Sequence, residues 1–326
     1  MVNWLKPGII DGAPAGSRLG LAEDTEKVLQ QLQGYDASDM LGILYQLFPP
    51  NLFAAASEGR ILSLIVFSLL FGYFISRLPA ELAASQRRFW QGAYEVMSLM
   101  TRLVMRFAPI GVFALVAAVV ARTGWDALRP LAVVFFAVLL GLLTHALVTL
   151  PLVLRLVARV SPLRHFQAMS PALLTAFSTS SSAATLPVTL DCMERRAGVS
   201  KRITGFVLPV GANVNTDGTA LYECAAALFI AQAYGLELGF AGQFVVVLIA
   251  LLTGFGMAGI PSASLVAIGV ILSAIGLPLE GVGLILAVDR LLDMCRTTVN
   301  VLGDSCAAVV VGRLEGEEQI LARPVV

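Results

Sequence analysis

Charge is what this sequence has least of. Only 13% of its 326 residues are Asp, Glu, Lys or Arg, against 57% apolar, where a soluble domain carries about 25% charged residues. That shortage, with a mean hydropathy of +0.83, excludes water as the bulk solvent for most of the chain and leaves lipid. Histidine is scarce too: there are only His145 and His165. His145 in a helix is placed to relay protons, but we read it as a hydrogen-bonded structural residue. The four cysteines, Cys192, Cys224, Cys295 and Cys306, lack metal-ligand spacing and lie in or beside apolar segments. They are read as free packing residues, neither disulfides nor ligands. The formal net charge is zero, so no nucleic-acid partner is expected. The first twenty residues contain no apolar core of a cleavable signal. No ten-residue alternation recurs, which argues against an outer-membrane barrel.

What is present is apolar sequence in long runs, at 60–75, 107–121, 131–157, 203–234, 244–275 and 282–311. A crossing of the bilayer needs about 20 residues, so the longer runs must be broken or re-entrant. Basic connectors at 77–88, 155–164 and 194–202, the last with Arg195, Arg196, Lys201 and Arg202, mark the cytoplasmic side. The acidic first forty residues then lie outside.

The C-terminal half contains an echo. NVNTDGTA at 213–220 matches NVLGDSCA at 300–307 in Asn, Val, Asp and Ala, and each follows a small-residue stretch broken by proline, at 177–187 and 254–264. We read this as an internal repeat of hairpin and polar helix. Small residues and proline free backbone amides, which is tolerated at bilayer depth only in a protein interior or cavity. Both stretches are therefore candidate re-entrant tips whose helix N-termini suit an anion.

Within the last run, Asp289, Asp293, Arg296, Asn300 and Asp304 fall within an arc of about 80° on a helix turning about 100° per residue. Ionisable groups cost a few kcal/mol each in the bilayer core, so such a stripe faces a bundle interior or a cavity. Arg290 falls off it. Three carboxylates and one guanidinium leave a negative excess suited to cations, and sodium prefers hard oxygen donors of this kind. Arg296 suits a bidentate grip on a carboxylate, and Asp293 is placed to accept from an ammonium. Upstream, Asn213, Asn215, Asp217 and Thr219 cluster around Gly211 and Gly218, a pattern suited to an unwound, cation-coordinating stretch. Glu223 lies one turn beyond Thr219. A carboxyl group removed from water favours its proton-carrying form, which makes Glu223 a candidate for proton coupling. A channel fits less well, because an Arg beside Asp on one stripe is better suited to a zwitterion. An intramembrane aspartyl protease, the enzyme alternative, is excluded because Asp289 and Asp293 project from one helix with Arg296 competing for them.

At these residues the sequence resembles the dicarboxylate/amino acid:cation symporter family, which includes excitatory amino acid transporters. The likeness runs from about Asn3 to the C-terminus. SSSAATLPVTL at 180–190 looks like the family's first re-entrant hairpin and KRITGFVLPVGANVNTDGTALYE at 201–223 like its unwound seventh helix. AGIPSAS at 258–264 looks like the second hairpin tip and VDRLLDMCRTTVNVLGDS at 288–305 like the eighth helix. The resemblance implies an all-α multi-pass membrane protein of glutamate-transporter-like fold, with two re-entrant helical hairpins and inverted repeats.

By the same resemblance Arg296 binds the substrate side-chain carboxylate with Thr219, and Asp293 binds the α-amino group. Thr297, Asn300 and the first tip at Ser180, Ser181 and Ser182 hold the α-carboxylate, with Ala258 and Gly259 in the second tip. Sodium goes to Gly211, Asn213, Asn215, Asp217, Asp289, Asn300 and Asp304. Having both Arg296 and Asp293 implies an acidic amino acid, glutamate or aspartate, over a C4-dicarboxylate. Glu223 matches members coupled to protons and potassium. No cofactor is implied, only co-transported Na+, with H+ or K+ as further ions, in a homotrimer of the plasma or inner membrane that works by an elevator motion. The expected organisation is an extracellular loop at 1–40, scaffold and connecting helices at 41–160, a transport domain at 161–312 and a cytoplasmic tail at 313–326. Two departures stand out. The family's NMDGT reads NTDGT, with Thr216 for Met. Members also begin with three further helices, on the order of 60–80 residues, so a truncated and inactive member is the alternative reading.

Overall fold

Proline and small polar residues, more than length, decide where the helices of this chain stop. A computed structural model describes residues 2–10, 12–17, 51–57, 61–107, 110–111, 113–114, 117, 121, 128–236, 238–254 and 264–322. The short helix α1 (Val2–Leu5) leads into a two-stranded ribbon, β1 (Ile9–Ile10) and β2 (Ala13–Pro14), with Ile9 opposite Pro14 and Ile10 opposite Ala13. It is more than the loop expected there: Val2, Ile10 and Ala15 are buried, and the Gly8 N–H donates to Gln232 Oε1 at 3.2 Å. Then come α2 (Leu52–Ser57), α3 (Ile61–Arg77) and α4 (Ala80–Met105). Phe71 of α3 meets Trp90 of α4 edge-on, ring centroids 5.8 Å apart. Most of their large apolar side chains, such as Phe74, Phe89 and Leu103, stay exposed.

Helix α5 (Leu128–Thr144) passes through a π turn (His145–Thr149) into α6 (Leu150–Leu156). Pro151 explains the wide turn, because its ring would crowd the carbonyl four residues back. Instead the Leu150 N–H bonds to the His145 carbonyl, five residues back. Among the described residues, the 28-residue stretch Arg129–Leu156 is the one helix long and apolar enough to cross a membrane.

Helices α7 (Pro162–Thr179) and α8 (Ser182–Asp191) pack on one another. The chain turns at Ser180, which is left-handed at φ 51°, ψ 34°, and at Ser181, whose hydroxyl accepts from the Ala184 N–H at 3.2 Å to cap α8. The apolar run 203–234 is broken, as expected, into α9 (Lys201–Val214) and α10 (Asp217–Ala233), with Asn215 and Thr216 in non-helical backbone. α11 (Phe240–Gly254) and α12 (Ser264–Ala274) follow. The second small-residue tip, with Ala258 and Gly259, lies between them, outside the described residues. α13 (Val282–Leu314) is a single 33-residue helix, about 50 Å long at 1.5 Å per residue.

α13 is the spine. Its first part closes a core with α5, α10, α11 and α12, through Leu292, Ile230, Ile249 and Ile271. Its second part closes another with α6, α7 and α9, through Leu302, Val309, Leu154, Met169 and Leu208. Beyond α13 the chain folds back over the second core. The Leu321 N–H donates to the Ala197 carbonyl at 2.9 Å, Arg164 Nη1 donates to the Leu321 carbonyl at 3.1 Å, and Arg313 Nε donates to the Ala158 carbonyl at 3.1 Å. Ile320 and Leu321 are buried there.

Candidate functional site

The two echoing segments pack on each other where the two cores meet. Asn300 Oδ1 accepts from the Gly218 N–H at 2.8 Å and from the Thr219 N–H at 3.3 Å, and Asn300 Nδ2 donates to Thr219 Oγ1 at 2.9 Å. Its carboxamide thus serves the first turn of α10, whose amides have no partner within the helix. Asn215, in the break, donates from Nδ2 to Asp304 Oδ1 at 2.9 Å. Glycine makes this approach possible. A Cβ on Gly303 would stand 2.5 Å from Asp217 Oδ2, and one on Gly211 would stand 2.6 Å from Asp304 Oδ1. Here the repeat diverges: Asn213–Asn215 runs into a break, whereas Asn300 to Asp304 stay helical.

The expected stripe is real, and it divides into two stations. Asp289 and Asp304 are 15 residues apart on α13, about 22 Å along its axis. In the first station Arg296 donates from Nε to Asp293 Oδ1 at 3.1 Å, and from Nη2 to Asp293 Oδ1 at 2.8 Å and Asp289 Oδ1 at 3.1 Å. Its guanidinium carbon lies 4.2 Å from the centroid of the Tyr222 ring, a cation–π distance, and the Tyr222 hydroxyl donates to Asp289 Oδ1 at 3.0 Å. Arg296 is 1% exposed, yet its Nη1 has no hydrogen-bond partner among the described residues. Arg290, off the stripe, approaches Asp293 Oδ2 at 3.7 Å. Thr297 is buried one residue beyond Arg296, and Glu223, on α10, is fully buried. Glu223 Oε2 accepts from Thr253 Oγ1 of α11 at 3.3 Å, and its Oε1 has no partner among the described residues.

The second station holds Gly211, Asn215, Asp217, Gly303 and Asp304. Asp217 Oδ1 accepts from the Gly218 N–H at 2.8 Å, and its Oδ2 lies 2.8 Å from His145 Nε2 on the π turn. Among the described residues, no three His, Cys, Asp or Glu side chains converge as a metal site. Any cation here needs the Asn215 amide and backbone carbonyls besides the two carboxylates. Those are hard oxygen donors.

Not every expected residue joins. Asn213 is exposed and donates from Nδ2 to the Pro209 carbonyl of its own helix at 2.7 Å, apart from the second station. Asp289 sits with Arg296, away from Asp304. Ser180 and Ser182 are buried, and Ser180 Oγ is unpartnered among the described residues. Sequence reasoning gave no role to Tyr222 or Thr253, although Tyr222 adjoins Glu223 in the quoted motif. It also read His145 without finding its partner. His165 is buried with Nε2 2.9 Å from Ser305 Oγ, a structural tie between α7 and α13.

An interrupted helix crossing a charged one inside a helical bundle is the arrangement in which secondary transporters build their ion and solute sites. The chain belongs to the sodium:dicarboxylate symporter family, whose profile matches residues 1–314, and so to a family of membrane proteins. It is 45% identical over 265 residues to excitatory amino acid transporter 3 of Mus musculus, an alignment covering 80% of this chain and 50% of that protein. It is 43% identical to excitatory amino acid transporter 1 of Homo sapiens, over 79% of this chain and 48% of that one. To the proton/glutamate-aspartate symporter of Escherichia coli it is 40% identical, over 85% and 63%. The chain thus spans about half the length of the mouse and human relatives.

Proposed function

We propose that this chain binds glutamate or aspartate at Arg296 and carries it across the cell membrane in symport with cations. One observation carries the reading: a buried guanidinium held by two aspartates, with one terminal nitrogen unpaired among the described residues. A buried donor without a partner costs about 1–3 kcal/mol, and the side-chain carboxylate of an acidic amino acid would satisfy Nη1. Competing for the same fork, it would also loosen Asp293, which is then available to the substrate ammonium. Thr297 and the tip at Ser180, Ser181 and Ser182, with its unpartnered Ser180 hydroxyl, would take the α-carboxylate.

Charge explains the coupling. With Asp217, Asp289, Asp293 and Asp304 ionised against Arg296, this largely buried set is three charges negative before an acidic substrate adds a fourth. Buried charge of one sign is strongly unfavourable, so cations must accompany the ligand. Sodium suits the oxygens of Asp217, Asn215 and Asp304 and the Gly211 carbonyl, and we assign the amide role there to Asn215 in place of Asn213. Glu223 is the proposed proton carrier, in line with the printed name of the Escherichia coli relative. The finer organisation follows the family: a multi-pass protein with re-entrant tips at 180–182 and 258–264, a transport domain at 161–312 moving as an elevator against scaffold helices within 41–160, and a homotrimer.

Counterflow of radiolabelled aspartate in proteoliposomes tests this. Uptake that requires a sodium gradient is expected; folded protein that neither binds nor accumulates aspartate in sodium overturns the reading.

A further inference from the structure

The contact between His145 and Asp217 joins residues 72 apart in sequence, and the helical break does not require it. A carboxylate has only lone pairs to offer, so the shared hydrogen is on His145 Nε2. With Gly218 N–H on Oδ1 and His145 on Oδ2, both oxygens of Asp217 are fixed in direction. Gly303 lets α13 pack closely here, since a Cβ on it would stand 2.5 Å from Asp217 Oδ2 and 3.0 Å from Asn215 Nδ2, and Asn215 reaches from that side to Asp304. The imidazole stands on the first residue of a π turn, a local widening of the helix that is often found at functional positions.

We infer that His145 is a positioning residue for the second station: its Nε2–H orients the Asp217 carboxylate so that the remaining lone pairs point at a bound sodium ion. This rests on the reading of Asp217 as a sodium ligand. Partners that orient metal-binding side chains affect affinity even though they never touch the ion.

The test uses the purified full chain and titrates sodium chloride against choline chloride, reading L-aspartate binding and the sodium-dependent rise in melting temperature. His145→Leu removes the donor and is expected to raise half-saturating sodium by about tenfold or more. Aspartate affinity at saturating sodium should stay within about twofold of the wild type. His145→Gln, which restores an N–H donor, should return half-saturation to within about twofold. Should His145→Leu fail to fold, His145→Phe keeps the ring volume without the donor and takes its place. Equal shifts in the Gln and apolar variants, or no shift in the apolar variant, overturn the inference while leaving Asp217→Asn free to support the sodium reading. No shift in Asp217→Asn overturns both.

Discussion

Arg296 is the side chain on which selectivity should turn. Its Nε and Nη2 hold Asp293 and Asp289 while Nη1 has no partner among the described residues, so removing the guanidinium removes the proposed partner of an acidic side chain and keeps the ammonium acceptor. Arg296→Cys should therefore lower aspartate affinity by about 100-fold or more, the loss expected when a buried charge-assisted pair is deleted. Neutral amino acids should then compete better than acidic ones, which competition against labelled aspartate and serine reads directly. Glu223 carries the second residue-scale expectation. Its carboxyl is buried, with one oxygen bonded to Thr253 and the other unpaired among the described residues. If it loads a proton with the substrate, wild-type uptake falls as the outside pH rises, whereas Glu223→Gln, which cannot exchange a proton, gives a flat profile. A variant that keeps the wild-type pH dependence would remove Glu223 from the coupling.

At the scale of elements, the break between α9 and α10 and the continuity of α13 come from nearly the same words. In NVNTDG, Asn215 and Thr216 are poor helix formers followed by Gly218, and Pro209 stands upstream; in NVLGDS, Leu302 occupies the place of Asn215 and no proline lies anywhere in α13. That contrast is local, and so the break was legible in the sequence. So was the stripe on α13, because a face follows from the rise and turn of one helix. Tyr222 against Asp289 and His145 against Asp217 were not legible, because which face of one helix meets which face of another depends on packing between segments 67 and 72 residues apart. The same holds for Asn213 and Asn215, two residues apart, of which only the second turns inward. The crossing itself is testable. Gly303→Ala would push a methyl group against Asp217 and Asn215. It should cost about 1–3 kcal/mol, seen as a lower melting temperature, and should raise half-saturating sodium. An alanine variant with unchanged melting and sodium dependence would mean that the close approach is not required.

Over the whole molecule, two cores share one spine, and the segment after α13 seals the second. Leu321→Asp places a carboxylate at a buried position beside Ala197 and should destabilise by about 2–4 kcal/mol. Thermal unfolding in detergent should show the loss, while aspartate affinity at low temperature stays close to wild type because the strap lies away from Arg296. A drop in affinity without a drop in melting temperature would instead tie the strap to the site. The place of α13 also governs how the protein is made. Every described helix of both cores precedes it in the chain, so the ribosome has delivered α5 through α12 before the partner that unites them exists. During that interval the Gly218 and Thr219 amides wait without Asn300, and the Tyr222 ring without Arg296. The early helices are therefore only provisionally packed until α13 emerges, and a nascent chain stalled before residue 282 should be a substrate for quality control and should not accumulate as a stable intermediate.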